Sequence, residues 1–439
     1  MDATGHNWSN GICTFCGEGK KPYKRLTYFT VDVVDENGKS YKDNAVLYLP
    51  ANYTPGGEPV KLVIYCKQGS SQITSSSNPI EAVGFYNYLI SLGYAVLGVD
   101  GVPDAWRDEL GLDNTRVVGN PLAVQGTEKA YDYVIENYNI AADGCFISGY
   151  SQGGHYAQNV IDLTDIPILA AAEQSPVCSM QYHQWDLNAS VTVNNVKYSK
   201  AARLNVARIY GFPAFATNAE LLNLAYDNTL VEQYDPWVRN SENIYTGFVQ
   251  KSSLWYLPEG TSVDDITMTH IAKCPVKIWC AEDDTAISAD VMKVFVKAIQ
   301  NAGGTAEISI APSGGHGFFQ KQTAVGSFTE NGKTYNTLPI AVEIADWFAQ
   351  YGGYEHIHTY ENGICTGCGA KEPVSHIPGD ITGDGDLNNK DVTRLFKYLS
   401  GYDVEVDEAA LDINGDGEID NKDLTRLFRY LSGHDVTIY

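Results

Sequence analysis

The sequence lacks several features that would indicate particular classes of protein. Its 439 residues carry 30 Lys and Arg against 54 Asp and Glu, so the net charge is -24. Because such a surface repels phosphate groups and anionic lipid, the charge argues against a nucleic-acid-binding or peripheral membrane protein. No apolar run approaches the roughly 18–20 residues that span a bilayer, so no membrane span is predicted. The first residues form neither a basic nor an apolar stretch, so no signal peptide is visible.

What the sequence does contain is two internal repeats, which set the predicted domain boundaries. A His-x6-Cys-x2-Cys segment at residues 6–17 recurs at 358–369 with identical spacing, and residues 380–404 recur at 412–436. Between the repeats lies one long region of alternating strand and helix patterns. The predicted domains are a His/Cys module at 1–22, a large domain at 23–352, a second His/Cys module with linker at 353–376, and a C-terminal pair of repeats at 377–439.

The large domain is predicted to have an α/β fold. Short apolar, β-branched runs alternate with helical patterns, which favours a parallel-rich sheet with helices on both faces. Two strands before this alternation, joined by Glu36-Asn37-Gly38, are predicted to pair antiparallel. Residues 176–270 break the rhythm and are rich in Tyr and Trp, so they are interpreted as an inserted cap.

One motif in the large domain predicts nucleophilic chemistry. Gly149-Tyr150-Ser151-Gln152-Gly153 follows an apolar strand and opens a helical pattern. A sharp strand-to-helix turn there exposes the serine hydroxyl, and only small neighbours let such a turn close. The amide of Gln152 would then be free to donate to a developing oxyanion.

A serine needs an adjacent base, which is itself oriented by an acid. Asp284 follows one later strand and His316 follows the next, in the order Ser, Asp, His. Asp283 is the fallback for the acid, and Glu173 is a weaker one. His155, four residues after the serine, is expected to pack or cap locally.

With these motifs the region around residues 24–352 resembles the α/β-hydrolase superfamily. The resemblance implies that Ser151 is the nucleophile, His316 the general base and Asp284 the orienting acid. In this superfamily a second oxyanion donor comes from a loop after the third strand, which often begins His-Gly. Here that loop begins Lys67-Gln68-Gly69-Ser70, so glutamine replaces the histidine and the Ser70 amide is the expected donor.

The C-terminal repeats are predicted to bind calcium. Each contains a loop with oxygen-bearing side chains at positions 1, 3, 5 and 12 and glycine at position 6, which is the pattern a hard cation requires. Thr at position 3 of the first loop and Asp at position 12 of both loops depart from the usual residues. The expected ligands are Asp380, Thr382, Asp384, Asp386, Asn388, Asp391, Asp412, Asn414, Asp416, Glu418, Asp420 and Asp423.

This pair of loops, each followed by an amphipathic helical pattern, resembles a type I dockerin over residues 377–439. The resemblance implies a small all-α module that folds around two calcium ions and binds a cohesin module of a scaffold protein. The residues at the positions that resemble its recognition pairs are Asn389, Lys390, Asn421 and Lys422. Because cohesins lie outside the cell, the protein is expected to be secreted and associated with a cellulosome.

The two His/Cys modules leave several interpretations open. Their spacing resembles short repeats in surface proteins of gut Firmicutes. One imidazole and two thiolates per module would supply three of the four ligands of a zinc ion, with His376 as a fourth ligand only in the second copy. A disulfide or free thiols fit the sequence equally well.

The features together predict a secreted serine esterase that cleaves acetyl or feruloyl esters on plant cell-wall polysaccharide, tethered by its dockerin to a cohesin-bearing scaffold. A serine peptidase or lipase on the same fold is the alternative within enzymes. A non-catalytic binding module on a degenerate hydrolase fold is the alternative outside them. The intact Ser, Asp and His set argues against that last interpretation.

Overall fold

A computed structural model describes residues 24–67, 84–110, 119–178, 273–371 and 377–438, together with short strands at 8–9, 12–13, 192–193 and 196–197. The chain forms two compact units, one containing a large sheet and the other the two acidic loops. The domain boundaries drawn from the repeats stay predictions. Most of the predicted cap at 176–270 lies outside the described residues, so the cap also stays a prediction.

The larger unit is built on one eight-stranded sheet. In chain order its strands are β1 (Leu26–Val34), β2 (Ser40–Tyr48), β3 (Leu62–Cys66), β4 (Ala95–Val99), β5 (Cys145–Tyr150), β6 (Ile168–Gln174), β7 (Val276–Ala281) and β8 (Ala306–Ala311). Across the sheet the order is β8-β7-β6-β5-β3-β4-β2-β1. Neighbours are parallel except β4 with β2 and β2 with β1. The sheet confirms the predicted fold class.

The antiparallel start of the sheet has a local cause in the β1–β2 turn. Asp35 Oδ1 accepts hydrogen bonds from the amides of Asn37 and Lys39, at 2.9 and 2.8 Å. Gly38 adopts a φ of +82°, which glycine reaches without steric cost. The predicted hairpin therefore forms at the predicted turn.

Six helices of the larger unit are described: α1 (Gly84–Leu92), α2 (Asp104–Leu110), α3 (Pro121–Asn137), α4 (Gln152–Leu163), α5 (Ala289–Asn301) and α6 (Pro339–Ala349). The start of α3 illustrates why such bounds were predictable: the Asn120 side chain accepts from the amides of Leu122 and Ala123, and Pro121 occupies the first turn. Within the described residues, none of the helices has the length and apolarity to cross a bilayer.

Both faces of the sheet are buried at its central strands β3, β4 and β5, which explains why these strands are almost entirely apolar. In β3, Leu62 and Ile64 belong to one hydrophobic cluster while Val63 and Tyr65 belong to the other. Helices α3, α4 and α5 cover the first face, and α1 and α6 cover the second. Because neighbouring residues of a strand point to opposite faces, a central strand such as β3 has no side that faces solvent.

A short antiparallel hairpin follows the sheet, formed by β9 (Gly326–Glu330) and β10 (Lys333–Thr337). It was not predicted. Its strands carry few apolar residues, although Asn331-Gly332 at the turn, with φ values of +49° and +73°, is a sequence signal that could have found it.

The smaller unit contains two nearly identical helices, α7 (Asn389–Leu399) and α8 (Asn421–Leu431). Both begin in a capping box, with Asn388 or Asp420 as the capping residue and Asp391 or Asp423 completing it. A separate hydrophobic core lies between the loops and helices, with Ile381, Leu395, Ile413 and Leu427 fully buried.

Candidate active site and calcium loops

Ser151 lies at a strained turn between β5 and α4. Its φ of +58° and ψ of -123° are unusual for a residue with a side chain. A Cβ atom on Gly149 would lie 2.2 Å from the Gly153 carbonyl oxygen, and one on Gly153 would lie 2.2 Å from the Cys66 carbonyl oxygen. The two glycines therefore allow the backbone to close around the serine, as the sequence predicted for this turn.

The structure brings the three predicted triad residues together in one chain of hydrogen bonds. His316 Nε2 is 2.8 Å from Ser151 Oγ, and His316 Nδ1 is 2.9 Å from Asp284 Oδ2. The Asp284 side chain is fully buried, whereas 25% of the His316 side chain is exposed. A buried carboxylate, a half-buried imidazole and an accessible hydroxyl are thus arranged for proton transfer from serine to histidine.

Two neighbouring aspartates hold the loops that carry this arrangement. Asp284 Oδ1 accepts from the amides of Ala286 and Ile287, at 2.8 and 3.0 Å, which leaves Oδ2 directed at the imidazole. Asp283, the fallback acid, instead accepts from the Gly315 amide at 2.7 Å. That hydrogen bond lowers the pKa of Asp283. Asp283 therefore shapes the loop that presents His316.

Tyr150 is a further residue at the site that the sequence analysis did not identify. Its hydroxyl donates to the His316 carbonyl oxygen at 3.0 Å, and the two ring centroids lie 5.0 Å apart. Burial, and then the negative charge of Asp284, raise the pKa of the Tyr150 hydroxyl. The hydroxyl therefore stays protonated and keeps its donor. The only sequence signal was its position immediately before the serine.

Glu173 and His155 lie near the serine but outside the triad. Glu173, at the end of β6, is fully buried, and its Oε2 accepts from Gln158 Nε2 at 2.8 Å. Burial raises the pKa of Glu173 to about 8. His155 is fully buried on α4, where its Nδ1 would lie 2.6 Å from a Cβ on Gly119. It is packed into the domain, in keeping with its expected local role.

The structure describes only one of the two expected oxyanion donors. Gln152 is the first residue of α4, so its amide is among those that have no acceptor within the helix. Ser70 lies outside the described residues, which stop at Lys67 and resume at 84. The Ser70 assignment stays a prediction.

The two acidic loops have closely similar geometry. In the first loop Asp391 Oδ1 accepts from the Thr382 amide and hydroxyl, at 3.0 and 2.9 Å, so positions 3 and 12 are already drawn together. In the second loop Asp423 Oδ1 accepts from the Asn414 amide and side chain, at 3.0 and 2.9 Å. Gly385 and Gly417 at position 6 have φ values of +84° and +80°. The oxygen-rich donor set fits a hard cation in both loops.

The expected recognition pairs lie at the first turns of α7 and α8, where all four residues are exposed. Lys390 Nζ is 2.8 Å from Asp384 Oδ2, and Lys422 Nζ is 3.1 Å from Asp416 Oδ2. Lys390 lowers the pKa of the Asp384 carboxyl. Each lysine thus neutralises part of the acidic loop beside its own helix.

Between these helices runs an apolar groove that the sequence analysis did not single out. It is lined by equivalent residues of the two helices: Val392, Thr393, Phe396, Leu424, Thr425 and Phe428. The two phenylalanines are 57% and 58% exposed. The two helices, which have nearly the same sequence, therefore each contribute equivalent side chains to this groove.

Two family models match separate parts of the chain. The model described as the dienelactone hydrolase family matches residues 247–351, and the dockerin type I domain matches residues 378–432. The first match includes Asp284 and His316, and the second covers both acidic loops. With the sheet described above, these matches show an α/β-hydrolase domain. They also show a type I dockerin domain, and both were predicted from the sequence.

The solved structures that align with this chain include several peptidases. One is an acylaminoacyl peptidase from Pyrococcus horikoshii that is 9% identical. The alignment covers 77% of this chain and 43% of the peptidase chain, with a TM-score of 0.45. Another is a puromycin-hydrolyzing peptidase from Mycobacterium tuberculosis, 18% identical, at 70% and 40% coverage with a TM-score of 0.43. The chain thus spans less than half of these proteins. A comparison with curated protein sequences finds no match.

Proposed function

We propose that the larger unit is a serine esterase in which Ser151 is the nucleophile, His316 the general base and Asp284 the orienting acid. The observation that carries the proposal is the unbroken chain of contacts at 2.8 and 2.9 Å from hydroxyl to imidazole to buried carboxylate. A serine at its ordinary pKa is a weak nucleophile, and this arrangement is the one that activates it.

In the acylation step His316 Nε2 takes the proton of Ser151 Oγ as that oxygen attacks the ester carbonyl. The carbonyl oxygen becomes negative and accepts hydrogen bonds from the Gln152 and Ser70 amides. His316 then gives its proton to the departing alcohol, which leaves an acyl group on Ser151. Asp284 holds the imidazole in the required tautomer and stabilises its positive charge. In the second half of the reaction, His316 takes a proton from water as the water oxygen attacks the acyl group, and the carboxylic acid leaves Ser151.

The dockerin domain suggests the class of substrate. Its two loops would hold one calcium ion each through the twelve predicted side chains, and calcium would supply structural stability there. Through the exposed faces of α7 and α8, including the four predicted recognition residues, it would bind a cohesin of an extracellular scaffold. Enzymes carried on such scaffolds mostly attack plant cell walls. Acetyl and feruloyl esters on polysaccharide are the bonds there that a serine esterase cleaves.

A panel of substrates tests the proposed activity. We expect the purified protein to hydrolyse acetylated xylan or methyl ferulate, and expect Ser151→Ala to abolish this hydrolysis without changing cohesin binding. Ser40→Ala, which alters an exposed serine at the start of β2, is the matched control and should leave the rate unchanged.

The same panel separates the alternatives. Preference for tributyrin would favour a lipase, and preference for a peptide amide would favour a peptidase. Hydrolysis that persists in Ser151→Ala would refute the nucleophile assignment. Cohesin binding with no hydrolysis of any substrate would favour a non-catalytic binding module.

A further inference from the structure

Four potential metal ligands meet in the second His/Cys module. They are His356, His358, Cys365 and Cys368, and one ligand atom from each lies within 4.8 Å of the others. Cys368 Sγ and His358 Nδ1 are 3.3 Å apart. Both cysteines are buried and neither is in a disulfide. Cys365 ends the second strand of a short antiparallel hairpin, β11 (Tyr360–Glu361) and β12 (Ile364–Cys365), and Cys368 follows three residues later.

The fourth member of this cluster, His356, was not recognised from the sequence. The hydroxyl of Tyr88 on α1 lies 3.1 Å from His356 Nδ1. A Cβ on Gly367 would lie 2.6 Å from His356 Cε1 and 2.9 Å from Nε2. The Nε2 edge of the ring therefore faces the turn between the two cysteines, and the absence of a side chain at 367 makes room for it. The other candidate, His376, lies outside the described residues.

The first His/Cys module differs at these two positions together. Aligned on the shared His-x6-Cys-x2-Cys spacing, Thr4 stands where the second copy has His356, and Phe15 stands where it has Gly367. The first copy thus lacks both the second imidazole and the glycine that accommodates it. The second imidazole and the glycine that makes room for it occur together in the second module and are both absent from the first. This indicates that only the second module has the four-residue cluster.

We propose that His356 Nε2, His358 Nδ1, Cys365 Sγ and Cys368 Sγ bind one Zn²⁺ as a closed, structural site. Two imidazoles and two thiolates are a common tetrahedral donor set for zinc. Binding replaces the two thiol protons, which leave to solvent. With Zn–S near 2.3 Å and Zn–N near 2.0–2.1 Å, tetrahedral ligand atoms are about 3.3–3.8 Å apart. Ligand atoms that now lie up to 4.8 Å apart must therefore approach each other by about 1 Å as the ion binds.

The contacts around the site suggest what the ion stabilises. The Ser327 amide of β9 donates to the Thr366 carbonyl oxygen at 3.1 Å, and Tyr88 of α1 contacts His356. The contact with Tyr88 would orient the His356 ring and favour the tautomer in which Nε2 is the metal ligand. Zinc would hold the chain that follows α6 against α1 and β9.

Zinc analysis of the purified full chain tests the proposal. After dialysis against metal-free buffer with calcium, we expect one tightly bound zinc ion per chain. Cys365→Ser/Cys368→Ser should lose it, whereas Cys13→Ser/Cys16→Ser, the matched change in the first module, should keep it. His356→Thr, which copies the first module, should also lose tight binding. Tyr88→Phe should weaken zinc affinity by about 10–100-fold, measured by competition with a chromophoric chelator.

Cobalt spectroscopy of the unaltered protein covers the case in which a variant fails to fold. Co²⁺ bound at this site should give the intense visible bands of a tetrahedral ion and thiolate-to-metal charge transfer. Weak, six-coordinate bands would overturn the proposal. So would mass spectrometry of the non-reduced protein showing Cys365 and Cys368 in a disulfide, or zinc that is lost only when the first module is changed.

Discussion

Glu173 provides a prediction about stability that follows directly from its burial. Its carboxyl is fully buried at the end of β6, with one oxygen bonded to Gln158. The other oxygen, Oε1, has no hydrogen-bond partner among the described residues. Burial disfavours the charged form and raises the pKa of Glu173 to about 8. The folded protein therefore keeps a proton that the unfolded chain gives up near its ordinary pKa of about 4.5.

The sign and size of the effect follow from proton linkage. Below about pH 4.5 Glu173 is protonated in both the folded and the unfolded state, so its titration does not change the free energy of unfolding. Between about pH 4.5 and 8 only the folded state holds it, so the free energy of unfolding falls by about 1.4 kcal/mol per pH unit. Above about pH 8 the loss levels off at about 5 kcal/mol. Glu173→Gln removes the ionisation while keeping a carbonyl oxygen for the Gln158 amide.

Urea unfolding at a series of pH values measures this difference. Tryptophan fluorescence reports mainly on the hydrolase domain, because six of the seven tryptophans lie in residues 23–352 and none lies in residues 377–439. Asp43 also has a pKa raised to about 8 by burial, so the unaltered protein has more than one source of pH dependence. The difference between the protein and Glu173→Gln isolates the glutamate. The variant should gain about 2–3 kcal/mol relative to the unaltered protein between pH 5 and pH 7. A constant difference across that range would refute the argument.

Three further predictions concern the triad, the serine turn and the calcium loops. Asp284→Asn should lower the turnover number by about 10⁴-fold with little change in KM, which steady-state kinetics on an activated ester would show. Gly153→Ala should destabilise the protein by about 1–3 kcal/mol, because its Cβ would lie 2.2 Å from the Cys66 carbonyl oxygen. Gly317→Ala, with no atom nearer than 3.3 Å, is the control, and an equal loss in both would contradict the argument. Removing calcium with a calcium-selective chelator that leaves zinc bound should unfold α7 and α8 and abolish cohesin binding while ester hydrolysis continues. Loss of hydrolysis in parallel would contradict a hydrolase domain that stays folded without calcium.

The sheet was predictable because its signals are local. The helical patterns at residues 121–137 and 152–163 predict the bounds that α3 and α4 have, since proline, asparagine and the tight serine turn mark their starts. The apolar runs at residues 145–148 and 168–172 predict β5 and β6. Each strand runs two residues further than its run, because the residues that follow are not typical of strands: Gly149 and Tyr150 in β5, and Glu173 and Gln174 in β6. The helix α2 was missed because it is short and buries no residue.

At the candidate sites too, the residues marked by a local motif could be predicted, and those whose role depends on tertiary contacts could not. Ser151, Asp284 and His316 each stand at a recognisable strand end, so their meeting could be predicted from the order of the motifs. The roles of Tyr150 and His356 depend on contacts with the His316 loop and with Tyr88, which no local pattern reveals. For His356, comparison of the two modules at positions 4 and 356 was the available signal.

The central claim is that His316 activates Ser151 as a nucleophile. A fluorophosphonate probe reacts with activated serines, and peptide mass spectrometry locates the adduct. We expect a single rapid adduct on Ser151 that is lost in Ser151→Ala and slowed by several orders of magnitude in His316→Ala. Modification at another residue, or equally fast labelling of Ser151 without the imidazole, would contradict the account.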